Sequence, residues 1–118
     1  TTSMKQFADI AQSAFDVESS HVYIDDYGFL KSQSVHYIVP WIMPEGNNYG
    51  SARVNNELAI ANGLTFRPMK QTVLDTYSWW YSDALTQERR DKFEKKEGSV
   101  LLREQQIVEV WKKENLDE

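Results

Sequence analysis

The run Gly63-Leu64-Thr65-Phe66-Arg67-Pro68 constrains the fold of this chain more than any other six residues. Glycine reaches the left-handed backbone region that ends a helix at little steric cost. Proline five residues later pushes Arg67 out of the helical region. A helix therefore has to stop before this run, and a new one has to start after it. Before it stand Leu58, Ala59 and Ala61, a small apolar face, with Asn55 or Asn56 positioned to cap it. After it come Met69, Val73, Tyr77, Trp80 and Tyr81, a stripe at helical spacing that ends in bulky aromatics. Short strands are predicted on either side of the first helix, at Ser51–Val54 and at Leu64–Phe66.

The rest of the chain reads as more of the same small units. Ser3 and Gln6 have the spacing of a capping box, and Met4, Phe7, Ile10, Ala11 and Phe15 share one face of a helix over 3–15. His21–Ile24 alternates and is rich in β-formers, which predicts a strand. Asp25 or Asp26 then caps a short helix over Tyr27–Ser32. Residues 35–50 are the least regular, with Pro40 and Pro44 bracketing Trp41 and Met43 in a stiff loop. Thr86–Lys96 predicts a charged helix with Leu85, Arg89 and Phe93 on one side. Gly98 ends it, and Ser99 opens a last helix through Trp111, with Leu101, Val108 and Trp111 in a stripe and Ile107 beside it. Together these two helices read as an amphipathic hairpin, and the tail from Glu114 should fray. The expected fold is a single α+β domain over residues 1–118, helix-rich, with two or three short strands.

Composition narrows the function. Hydrophobic residues make up 41% and aromatics 13%, enough for a packed core rather than disorder. A net charge of −5 argues against sequence-independent binding to nucleic acid or to an anionic membrane. With no cysteine there is no disulfide, thiolate metal site or redox centre. No apolar run nears the length of a membrane span and the first residues lack a signal peptide's basic and apolar regions, so a cytoplasmic setting is expected. The chain opens on Thr1 with helix signals almost at once, as a fragment or processed chain would.

Residues 54–80 resemble the C-terminal signature of the extended short-chain dehydrogenase/reductases, the NAD-dependent epimerase/dehydratase family. The family pattern V-D-x-x-[KR]-A-x-x-x-G-[LW]-x-[FP]-[RP]-P is met by Val54, Ala59, Gly63, Leu64, Phe66, Arg67 and Pro68, followed by Thr72, Val73, Asp75 and Trp79 or Trp80. Asn55 stands where Asp is usual and Leu58 where a basic residue is usual. Pro40-Trp41-Ile42-Met43-Pro44-Glu45 resembles a tryptophan–proline loop of some members. The resemblance implies a substrate-binding C-terminal domain that shapes a pocket for a small molecule, with its N-terminal nucleotide-binding domain as partner and NAD or NADP as cofactor of the whole enzyme. Nothing in the chain itself supplies a Rossmann domain: its five glycines, at 28, 46, 50, 63 and 98, never form GxGxxG. Catalysis by this chain alone is therefore not expected.

The candidate substrate contacts are Tyr37, Trp41 and Met43 on the 37–44 loop and Arg53 before the first cap. A planar guanidinium at Arg53 suits bidentate grip on a diphosphate, against the plainer alternative of an ion pair with Glu45 or Glu57. Arg67, held in the Phe-Arg-Pro turn, reads as a brace of the fold. At least two of Trp79, Trp80 and Tyr81 are expected to face the core. Tyr27 and Lys31 match the YxxxK spacing of short-chain dehydrogenases, but family enzymes carry that pair on the nucleotide-binding half. His21 and His36, with Asp25 and Asp26 nearby, lack the convergent spacing of a metal site. Adjacent carboxylates at 25 and 26 could form an acid/base pair, yet a helix cap accounts for one of them. Two further expectations concern association. A detached enzyme domain should expose a large apolar patch, and might hide it by forming a homodimer. The alternative is a free-standing helical interaction or ligand-binding module that uses the same aromatics.

Overall fold

A computed structural model describes residues 2–38 and 41–115. The elements in chain order are α1 (Met4–Ser13), α2 (Tyr27–Ser32), β1 (Tyr37–Ile38), β2 (Trp41–Ile42), a 3-10 turn at Gly46–Asn48, α3 (Glu57–Ala61), α4 (Met69–Trp80), α5 (Gln87–Glu94) and α6 (Val100–Asn115). The fold is helix-rich, with a single two-stranded sheet among the described residues. Two compact units divide it: Thr1–Ser20 with Pro44–Leu85, and His21–Met43 with Thr86–Glu118.

In the first unit, α1 starts on a complete capping box. Ser3 Oγ accepts from the Gln6 N–H at 3.2 Å while Gln6 Oε1 accepts from the Ser3 N–H at 2.8 Å. Its half-buried face lies against α4. Helix α3 begins where Asn55 Oδ1 accepts from the Glu57 N–H at 2.9 Å. It ends at Gly63, whose φ is 97°. There the Leu64 N–H reaches the Ala59 carbonyl and the Gly63 N–H the Ile60 carbonyl, the paired bonds of a Schellman stop. Helix α4 then starts directly after Pro68. Arg67 Nη1 donates to Asp75 Oδ2, and Gln71 Nε2 donates to Asp75 Oδ1 at 2.8 Å, so Arg67 braces the turn against the helix it precedes.

The second unit contains the buried core. Phe29 and Leu30 of α2 meet Val35, Met43 and Ile107 of α6, with Ile24, Tyr27, Trp41, Val100, Val110 and Trp111 packed around them. Phe29 stacks edge-on to Trp111 with ring centroids 4.9 Å apart. Helix α2 is capped by Asp26, whose Oδ1 accepts from the Phe29 N–H at 3.0 Å. A Cβ at Gly28 would sit 3.0 Å from that same oxygen, so glycine leaves the cap room. The helix ends in a second Schellman stop, here with Ser34 rather than glycine at φ 56°. The Val35 N–H bonds the Leu30 carbonyl and the Ser34 N–H the Lys31 carbonyl. Val35 and Leu30 thus close the turn and enter the core together. Strands β1 and β2 pair antiparallel, Tyr37 opposite Ile42 and Ile38 opposite Trp41, and the Met43 N–H extends the ladder to the His36 carbonyl at 3.0 Å.

Several sequence expectations are corrected. Ser51–Val54 forms turns, with the Arg53 N–H bonded to the Gly50 carbonyl, not a strand. Neither Leu64–Phe66 nor His21–Ile24 forms a strand; the Leu64 N–H is used instead to close the stop of α3. Part of the 35–50 loop is instead the hairpin. On α6 the core takes Ile107, Val110 and Trp111, while Leu101 is exposed; on α5 Phe93 is exposed too. Helix α6 runs through Glu114 to Asn115, and residues 116–118 of the tail lie outside the described residues.

Candidate functional site

The four candidate contacts fall into both units. Tyr37, Trp41 and Met43 belong to the unit that holds the hairpin, and Arg53 to the unit that holds α4. The hairpin register decides what the first three can do. Side chains alternate across a strand, so neighbours on one strand face opposite ways. Tyr37 is 57% exposed and Met43 only 4%. Trp41 is half-buried, its ring 6.3 Å from that of Tyr27. Met43 is therefore a core side chain that fixes the hairpin; Trp41, two residues earlier, lies on the same face against the core, and Tyr37, paired with Ile42, lies on the opposite, exposed face. Pro40, which the sequence places in the same stiff loop, lies outside the described residues.

Arg53 sits in a turn, with its guanidinium carbon 4.2 Å from the centroid of the Tyr49 ring. That cation–π contact positions the guanidinium against the Tyr49 ring. At an exposed site such a contact contributes about 0.5–1 kcal/mol. It leaves the N–H fork able to meet an anion at its edge.

The remaining candidates resolve into structural roles. Asp26 caps α2, which accounts for one of the adjacent carboxylates. Tyr27 and Lys31 share a turn of α2, but the Tyr27 ring packs on the core rather than facing a cofactor. His21 stands edge-on to Tyr23, with ring centroids 6.2 Å apart. The His36 carbonyl holds the end of the hairpin. Among the described residues no group of three or more His, Cys, Asp or Glu side chains could hold a metal ion. No helix there is long and apolar enough to cross a membrane.

Pyrophosphate binding uses the free N–H groups of a helix's first turn. One such N–H is taken by the chain's own oxygen at four helices, by Ser3 at α1, Asp26 at α2, Thr86 at α5 and Ser99 at α6, whereas α4 begins after Pro68 without a side-chain cap.

The first unit carries a feature that the sequence reading missed. Phe15, Tyr77 and Tyr81 form an aromatic ladder, with both neighbouring centroid distances 4.8 Å. The i, i+4 spacing of Tyr77 and Tyr81 was its only sequence signal; Phe15 joins it through the α1–α4 contact. Beside Phe15 lies an open concavity of about 400 Å³, walled by Asp9, Gln12, Ser13, Asp16, Val17 and Glu18. The expected burial of the aromatic cluster is also corrected. Trp80 is half-buried, while Trp79 is 50% and Tyr81 59% exposed. No residue of α1, α3 or α4 is fully buried, and Leu58, Phe66 and Tyr77 are exposed as well.

No family model, curated protein or solved structure matches this chain.

Proposed function

We propose that this chain is the substrate-side, C-terminal domain of an NAD(P)-dependent epimerase/dehydratase-like oxidoreductase, a cytoplasmic enzyme. Its partner in that reading is the enzyme's nucleotide-binding domain, against which exposed apolar side chains of the first unit pack. One observation carries the reading. The family-like run from Val54 to Trp80 folds as helix, Schellman stop, braced turn and helix, yet leaves Leu58, Phe66, Tyr77 and Trp79 uncovered. Burying large apolar side chains stabilises by about 1.5–3 kcal/mol each, so a chain that leaves so many in water is one that has a partner to cover them.

In this reading hydride exchange with a carbinol carbon belongs to the nucleotide-binding half, where NAD or NADP and the acid/base tyrosine reside. The residues here contribute recognition. In the second unit, Tyr37 offers an exposed ring to a small-molecule substrate while Trp41 and Met43 hold its hairpin from the core; in the first unit, Arg53 by itself offers a guanidinium to an anionic group. The test is calorimetric titration of NAD and NADP into the product of the complete reading frame and into residues 1–118 alone. Binding to the complete product and none to residues 1–118 is expected. Binding to neither defeats the reading.

The exposure of Tyr77, Trp79 and Tyr81 also favours a second reading, a free-standing module that docks an unrelated protein through the same aromatics. A complete reading frame without a dinucleotide-binding segment would put that reading first.

A further inference from the structure

We draw no further inference here: the strongest candidate, the exposed apolar surface of residues 58–81 together with the Phe15–Tyr77–Tyr81 ladder and its acidic rim, belongs to the face already assigned to the partner domain, and nothing in the structure shows what else covers it.

Discussion

Arg103 on α6 donates from Nη1 to the backbone oxygen of Gln33 at 2.8 Å, joining the last helix to the end of α2 across 70 residues of sequence. Its Nε donates at the same time to the Gly98 carbonyl at 2.9 Å. One rigid guanidinium thus ties down two carbonyls, that of Gln33 at the C-cap of α2 and that of Gly98 in the turn before α6. The bonds hold α6 at the angle that brings Ile107 onto Phe29 and Leu30.

Arg103→Ala should destabilise the second unit by about 1.5–3 kcal/mol, the usual worth of hydrogen bonds to a charged donor. Arg103→Lys should recover only part of this, because an ammonium cannot span both carbonyls. Urea unfolding followed by near-ultraviolet circular dichroism reads the difference. Equal stability of Arg103→Ala and the parent chain would show that the guanidinium holds nothing in solution.

The two Schellman stops make opposite predictions. Ser34 bears a side chain at φ 56°, where a Cβ costs about 1–2 kcal/mol, so Ser34→Gly should stabilise by roughly 1 kcal/mol. Gly63 sits at φ 97° with open space around its missing Cβ, so Gly63→Ala should destabilise by a similar amount through backbone strain alone. Thermal midpoints of the two variants should move apart, upward for Ser34→Gly and downward for Gly63→Ala. Movement of both in the same direction would contradict the assigned turns.

The core predicts a steeper effect. Only Phe29, Leu30, Val35, Met43 and Ile107 are buried among the described residues, so each carries a large share of the packing. Ile107→Ala should cost about 2–5 kcal/mol and Met43→Ala a comparable amount, whereas Leu101→Ala, on the exposed side of the same helix, should cost under about 0.5 kcal/mol. Amide exchange in α2 reports the loss, because Leu30 and Phe29 lose their contacts first. A Met43→Ala chain as stable as the parent would contradict its place in the core.

What the sequence made legible follows from the range of each interaction. The Ser3–Gln6 box, the Tyr27–Ser32 helix and the Gly63 stop are set by neighbours within six residues and were readable, as was a cap at Asp25 or Asp26, of which the fold uses Asp26. The strands were not. A β segment exists only if a distant backbone joins it in a ladder, so His21–Ile24 is not a strand despite its composition, while Tyr37–Ile38 pairs across the hairpin. The same limit governed the site. Periodicity showed that Trp79, Trp80 and Tyr81 are an apolar cluster but not what covers them, and no local pattern distinguished Met43 in the core from Tyr37 in solvent. The Arg67 brace was foreseen from its turn; the Tyr49–Arg53 contact was not, since turn geometry rather than spacing creates it.

Helix α5 carries a pH-dependent pair. The Lys95 ammonium, 2.8 Å from Asp91, holds the Asp91 carboxyl below its ordinary value of 3.8, with Gln87 adding a second hydrogen bond. In return, the hydrogen bond to Asp91 raises Lys95 above its ordinary 10.5. A depressed acid contributes above its unfolded pKa and loses that contribution as pH falls through the lowered one. A raised base contributes below its unfolded pKa and loses it as pH climbs through the raised one. The pair's contribution should therefore stay level through neutral pH and fade only in acid and in strong base. Carboxyl NMR of Asp91 should show a midpoint below 3.8 that moves upward in Lys95→Gln. An unchanged midpoint would mean that the pair is not formed in solution.

The central claim is that the apolar side chains of residues 57–81 are covered by a partner domain of the same enzyme. Hydrogen–deuterium exchange of this segment, compared between residues 1–118 alone and the product of the complete reading frame, tests it most directly. The account predicts marked slowing of exchange across α3 and α4 in the complete protein, with the Arg103–Gln33 region of the second unit unchanged. Identical exchange in both forms, or a complete reading frame that encodes no further domain, would contradict it.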